Sequence, residues 1–318
     1  MTMSEPLVSV VVSTHDRPAR LARLLDGLRA QSIACDRFEV VVVDDGSGPA
    51  TGELLERERA RGELQLQVVR HGVARGPGAG RNAGWPLTRA PLVAFTDDDC
   101  VPAPSWLAAG LEAAAALPGA IVQGRTEPDP GGGRDKLLLS RTVRVATLGP
   151  QYETCNILYP RSVLEWLGGF DEGFGLCPGG EDTDLAWRAL ERGATATFSP
   201  AALVFHAVQR LGLLGTLREA TRWTATVRVL AEHPGARAIL HRRCFWNVWH
   251  YLLWRSLLAL VGPAWLRRLV WARHLGQLRA RGRQGGAGAW SVPFLLLHDV
   301  IETCAVVRGA VRYRTPVL

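Results

Sequence analysis

Three consecutive aspartates, Asp97, Asp98 and Asp99, follow directly on the apolar run Leu92–Phe95 and Thr96. Carboxylates crowded in this way repel one another unless a cation or a basic side chain lies among them. Two further apolar runs also end in polar or acidic residues. Leu7–Ser13 leads to Thr14 and Asp16, and Phe38–Val43 leads to Asp44 and Asp45. Several hard oxygen ligands suit Mg²⁺ or Mn²⁺, ions that bind one or two carboxylates together with the phosphates of a ligand. Arg81, embedded in the glycine-rich stretch RGPGAGRNAG (Arg75–Gly84), offers a counter-charge where the backbone can approach a diphosphate closely. Glu181 and Asp182 open the segment EDTDLAWRALERG. Carboxylates there can serve as a general base toward a hydroxyl nucleophile. Acids are equally favoured at a helix N-terminus by capping and by the helix dipole, and Asp184 fits that description too.

The elements that must position these groups are legible from periodicity. LVSVVVST (Leu7–Thr14) reads as a buried strand, and Leu21, Leu24, Leu25 and Leu28 recur at helical spacing after Pro18. FEVVVVDDGS is a second strand, and a charged helix over about Gly52–Arg61 leads to a third, LQLQVVR. The glycine-rich stretch is expected to lead into a short helix, and APLVAFTDDD to form a fourth strand. A helix over Ser105–Leu117, the short strand AIVQGR and the Pro/Gly-rich loop TEPDPGGGRDK follow, the loop being a candidate mobile lid or acceptor loop or a plain surface loop. EDTDLAWRALERG is a capped helix, on which Trp187 reads as packing, with a sugar platform the alternative, and Arg188 as half of a structural ion pair. ATATFSPAALVFH closes the region near His206. Alternating strands and helices predict an α/β fold with a mixed, mostly parallel sheet covered on both faces. Ligands of such sheets gather at the carboxyl ends of strands, where Thr14, Asp16, Asp44, Asp45 and Asp97–Asp99 all lie.

In this order, the segments VSVVVSTHDRPARL, VVVVDDGS, GPGAGRNAG, FTDDDC, GGFDEGF and EDTDLAWRALERG resemble those of inverting nucleotide-sugar glycosyltransferases of the large family-2 type, which have the GT-A fold. The resemblance covers about residues 6–210. It implies a GT-A domain over 1–210 with a helical extension over 211–318. It implies that Thr14 and Asp16 lie near the base and ribose of a nucleotide-sugar donor, although the family often has Tyr-Asn where this chain has His15-Asp16. Asp45, or its neighbour Asp44, resembles the carboxylate that recognises a uracil-type base, and Arg81 the basic residue near the diphosphate. Asp97 and Asp99 match the ends of an Asp-x-Asp motif, the first facing the ribose and the last the metal. Asp98 is an extra carboxylate, so the register among the three stays open. His206 matches a histidine near the metal or the diphosphate. Asp182 resembles the general base, with Glu181 the neighbouring candidate. The expected reaction is metal-dependent transfer from a UDP-sugar type of donor to a hydroxyl of a glycan or lipid-linked acceptor. A nucleotidyltransferase-like enzyme, releasing pyrophosphate, and a non-catalytic nucleotide-sugar-binding module are the rival readings.

Composition bounds the rest. The chain has 318 residues, 47% of them hydrophobic, with 34 glycines and six scattered cysteines that form no CxxC pair. This fits a folded protein of a reducing compartment and argues against a zinc site or disulfide framework. The first residues lack a basic segment before a short β-branched run, so a cytoplasmic location is expected. The net charge of +7 is divided unevenly, about −6 over residues 1–209 and about +13 over 210–318. The segments Cys244–Gly262 and Trp290–Arg314 are rich in tryptophan, leucine and arginine. The first approaches the length of a membrane span but contains Asn247, His250 and Arg255. An interfacial contact of residues 240–318 with the inner face of the cell membrane is therefore expected. Internal packing, a homodimer contact and a true span are the alternatives. No nucleic-acid-binding signature accompanies the basic tail, and no nucleic-acid partner is expected.

Overall fold

A computed structural model describes residues 5–133, 138–176 and 179–318. Two compact units are present, one formed by residues up to 131 with 143–207 and the other by 132–142 with 208–318.

The first unit begins with β1 (Val8–Thr14), α1 (Pro18–Arg29), β2 (Phe38–Asp45), α2 (Pro49–Arg61) and β3 (Gln65–His71). Next come α3 (Pro77–Gly84), β4 (Leu92–Thr96), β5 (Cys100–Pro102), α4 (Trp106–Ala116) and β6 (Ile121–Pro128). After the two-residue strand β7 (Ser140–Arg141) of the second unit, the first resumes with β8 (Asn156–Pro160), α5 (Arg161–Leu167), α6 (Glu181–Glu191) and β9 (Ala196–His206). Eight strands form one sheet in the order β3-β2-β1-β4-β8-β6-β9-β5. β3, β2, β1 and β4 are mutually parallel, β8 runs antiparallel to β4 and β6, and β9 is parallel to β6 and antiparallel to β5. The mixed, mostly parallel sheet expected from the strand–helix alternation is thus the observed one.

Alternate residues of each strand feed opposite cores, as a pleated strand buried on both faces requires. Val8, Val10 and Val12 pack with the α1 leucines and with Trp106 and Leu107 of α4. Val11, Val41, Val93 and Phe95 pack with Leu164 of α5 and Leu185, Ala186 and Ala189 of α6.

Three local expectations are corrected. The glycine-rich stretch does not precede a helix but is itself α3. It lies so close to the sheet that a side chain at Gly84 would meet Val11 at 2.8 Å and Val43 at 3.1 Å. The second helix begins at Pro49 rather than near Gly52, since proline suits the first helical turn. β4 ends at Thr96, and Asp97–Asp99 form the turn into β5, a strand too short to stand out in sequence. Of the Pro/Gly-rich loop, residues 134–136 lie outside the described residues, as does Cys177. Asp129, nearer its start, is held by Arg23 of α1 at 2.7 Å.

The second unit contains β10 (Gln209–Arg210), antiparallel to β7, and five helices: α7 (Gly212–Glu219), α8 (Trp223–Glu232), α9 (Val248–Leu258), α10 (Ala264–Gln284) and α11 (Ser291–Arg312). α11 packs on α8, α9 and α10, and Gly309 permits its close approach to Thr224 and Val227 of α8. Among the described residues no helix is long and apolar enough to cross a membrane, so the spanning alternative for Cys244–Gly262 falls. There, α9 is only 11 residues long and is capped by Asn247, which accepts hydrogen bonds from the amides of Trp249 and His250.

Candidate active site

The carboxyl ends of β1, β2 and β4 are neighbours because these strands are parallel and adjacent, so one edge of the sheet collects their polar residues. At the β1–β2 end the acids organise the loops. Asp16, in a left-handed conformation with φ 53°, accepts from the Gly48 amide at 2.7 Å, and its own amide donates to Ser47 Oγ at 2.9 Å. Asp44 accepts from the Ser47 amide at 2.9 Å. Asp45 accepts from the amides of Arg75 and Gly76 and from His71 Nδ1 at 2.7 Å. Burial acts to raise its pKa, but the His71 bond and the two amides prevail and hold the carboxylate below its usual range. The loops after β1, β2 and β3 are therefore tied together around three aspartates.

Each member of the aspartate triplet has different partners. Asp98 is buried, accepting from Thr14 Oγ1 at 2.8 Å and from Arg17 Nη1 at 3.0 Å. Burial raises its pKa to about 6; Asp99 adds to the rise and Arg17 opposes it. Asp99 is paired with Arg20 Nη1 at 3.1 Å and lies 3.5 Å from both Arg17 Nη1 and His206 Nε2. Asp97 turns the other way and accepts from Arg81 Nη2 at 2.9 Å. The cations that offset three crowded acids are thus, in part, Arg17, which caps α1, and Arg20 in its first turn.

Arg81 is almost fully buried on α3. Its second Nη donates to Glu181 at 3.1 Å, and its guanidinium lies over the Phe170 ring at 5.5 Å. Burial lowers its pKa, but Asp97, Glu181 and Asp182 outweigh that effect and keep it charged. Glu181 also accepts from the Gly179 amide at 2.9 Å. Asp182, the next residue, is half-buried and accepts from the Thr183 amide at 2.8 Å. Its burial and the charge of Glu181 push its pKa up to about 7 against the pull of Arg81. A carboxylate so placed is poised to take a proton near neutrality. Elsewhere on α6, Arg188 pairs with Asp184 at 2.8 Å, and Trp187 donates to the Pro150 carbonyl while packing against Tyr152. Both are structural, as their sequence context suggests.

The residues fit a divalent cation at Asp99 and His206. Their ligand atoms lie within 4.8 Å of one another, together with the Cys100 thiol. His206 Nδ1 lies 2.9 Å from the Ala207 carbonyl, which can only accept, so Nδ1 carries the proton and Nε2 faces Asp99. Burial pushes the Cys100 thiol well above its ordinary pKa, and the Asp99 carboxylate suits a hard ion. Asp97, directed to Arg81, is not in that group.

Sequence reasoning missed Arg17, Arg20, His71 and Glu153. Arg17 and Arg20 are three apart at the start of a helix that follows an acidic strand end, a spacing that places them on one face. Glu153 precedes β8 and is largely withdrawn from water, which raises its pKa; its charge reaches Asp182. No local pattern marks it, because it arrives through the antiparallel pairing of β8 with β4.

This fold and acid-lined edge define a nucleotide-sugar transferase type of domain, the GT-A fold. The family described as glycosyl transferase family 2 matches residues 9–166, and that domain belongs to it. The pre-mycofactocin glycosyltransferase of Mycobacterium tuberculosis is 30% identical over 212 residues, 63% of this chain and 42% of that protein. Glycosyltransferase AglE of Haloferax volcanii is 27% identical over 222 residues, 67% of this chain and 71% of that protein. The chain thus spans about two fifths of the first of these relatives and somewhat over two thirds of the second. Among solved structures, a mannosyltransferase of Pyrobaculum calidifontis in complex with GDP-Man and Mn²⁺ superposes with a TM-score of 0.61 at 21% identity, covering 98% of this chain and 88% of that one. Residues 1–349 of Staphylococcus aureus TarS, with UDP-GlcNAc, give 0.55 at 18% identity, covering 97% and 92%. At such identities these likenesses establish the fold.

Proposed function

We propose that the chain transfers a glycosyl group, with inversion, from a nucleoside-diphosphate sugar of the UDP type to a hydroxyl of a glycan or lipid-linked acceptor. The observation that carries this reading is Asp182. It is a half-buried carboxyl with a pKa of about 7, at the N-terminus of α6, next to Glu181, which the buried Arg81 ties to Asp97 at the acidic edge of the sheet. The relatives named as glycosyltransferases, and the neighbours bound to GDP-Man and UDP-GlcNAc, support a nucleotide-sugar donor.

In this reading Thr14, Asp16, Asp44 and Asp45 shape the base and ribose end, chiefly by fixing the loops that meet the nucleotide. Asp97, Asp98 and Arg81 lie toward ribose and diphosphate. Asp99 and His206, with Asp97 as the further candidate, hold Mg²⁺ or Mn²⁺. Once bound, that ion stabilises negative charge on the departing nucleoside diphosphate. Asp182 takes the acceptor proton as the hydroxyl attacks the face of the anomeric carbon opposite the leaving group, and Glu181 holds Arg81 beside it. Residues 1–210 form the catalytic domain, and 240–318 contact a membrane at the cytoplasmic face.

The test is release of nucleoside diphosphate in a panel of nucleotide sugars with Mn²⁺. Asp182→Asn is expected to lower kcat by about 10²–10⁴ while donor binding persists. The wild-type rate should rise with pH and level off above about 7, because the base acts deprotonated. Full activity of Asp182→Asn, or release of pyrophosphate, would overturn the reading.

A further inference from the structure

In the second unit, the end of α9, the 3-10 turn Ala259–Val261 and the start of α10 expose a concentrated apolar tip. Val261 is 92% exposed, Leu258 68%, Trp265 67% and Leu269 61%. Trp265 and Leu269 are one helical turn apart and share a face, and Gly262-Pro263 makes the turn that brings Val261 to its apex. Side chains of this size, exposed together, mark an interaction surface rather than the scattered apolar residues of any protein exterior.

The charge around the tip identifies the partner. Arg267 and Arg268 stand exposed within the tip itself, and the sequence between Glu232 and Asp299 has no carboxylate. An isologous contact between two copies would set arginine against arginine. A nucleic acid would use the arginines but leave Val261, Leu258 and Trp265 in water. An anionic lipid surface satisfies both, with the headgroups taking the arginines, the acyl boundary taking the apolar side chains and the indole lying at the interface. We propose that the α9–α10 turn is a membrane-inserting tip, seated in an anionic bilayer through Leu258, Val261, Trp265 and Leu269 and held by the adjoining arginines. This rests on the proposed membrane contact of residues 240–318 and assigns it to one turn. Because no helix among the described residues is long and apolar enough to cross the bilayer, the tip enters only the outer part of one leaflet.

The experiment uses the full chain and vesicles of phosphatidylcholine with about 30% phosphatidylglycerol, an anionic surface of the kind such segments bind. Wild-type protein is expected to co-sediment with these vesicles, far less with pure phosphatidylcholine, and less as ionic strength rises. Leu258→Asp with Val261→Asp should weaken binding at least about tenfold without changing Tm, since both side chains are exposed. Trp265→Phe should bind but lose most of the fluorescence quenching by lipids brominated high on the acyl chain. If the double variant binds like wild type, the tip is wrong while the wider membrane contact stands. If wild type binds no vesicle, both fall. A wild-type dimer that the double variant turns into a monomer, or binding of RNA in place of vesicles, also overturns the tip.

Discussion

Arg17 and Arg20 beside Asp98 and Asp99, and Arg81 beside Asp97, offset the charge of the aspartate triplet before any ligand arrives. A divalent cation approaching Asp99 must compete with Arg20, whose guanidinium is 3.1 Å away and whose side chain is 36% exposed. A diphosphate offers the displaced arginine a new anionic partner, so cation and nucleotide should bind with positive coupling, each tightening the other by the same factor. Arg20→Gln is accordingly expected to tighten Mn²⁺ binding in the absence of nucleotide, by about tenfold if some 1.4 kcal/mol of competition is removed. It should also shrink the Mn²⁺-dependent gain in UDP affinity. Calorimetry or the Mn²⁺ paramagnetic resonance signal measures both; unchanged or weaker Mn²⁺ binding would show that Arg20 does not compete. The aspartates themselves were plain in the sequence, and so was their place at strand ends. Their division of labour was not. It depends on which way each side chain leaves the turn between β4 and β5, and that is decided by Thr14, Arg17 and Arg81.

At the scale of elements, α3 shows how composition becomes position. Its glycines at 80 and 84 face Ser13 and the valines Val11 and Val43 so closely that no β-carbon fits without displacement. This brings Arg81 against the sheet, where it reaches Asp97 and Glu181. A larger side chain at Gly84 must push α3 outward, because the valines it meets are stiff, β-branched and packed. Gly84→Val should cost about 1–3 kcal/mol of stability by overpacking. It should also reduce activity, by loosening the ion pairs that end on α6. Denaturant unfolding and turnover measured on the same sample check both, and a neutral variant would refute the close-packing argument. The strands buried on both faces were legible because they are β-branched and apolar throughout. β5 and β8 were not, being short pieces recruited by pairing with distant strands.

At the scale of the whole molecule, the site is held at a cost to stability. Burial and Glu181 raise the Asp182 pKa from its usual range near 4 to about 7. Between those values the folded state holds a proton that the unfolded chain has released, so this residue's contribution to stability falls as pH rises across the window and is constant above it. Asp182→Asn keeps an acceptor for the Thr183 amide and removes the penalty. Its Tm is therefore expected to exceed that of the wild type at pH 8 and to match it near pH 4, by scanning calorimetry. An equal difference at both pH values would mean that Asp182 ionises in the folded protein as it does in the unfolded chain.

By itself the sequence determined the α/β class, the acidic edge of the sheet and the basic, tryptophan-rich character of the last hundred residues. All of these follow from local periodicity and composition, which a single chain carries in full. Tertiary structure alone decided which cation meets which acid, why Asp182 differs from Glu181, and which turn of the tail exposes its apolar side chains. Each of these depends on groups 16 to 100 residues apart in the chain, as in Arg81 with Asp97 and with Glu181, or on burial, and neither has any signature in a local pattern.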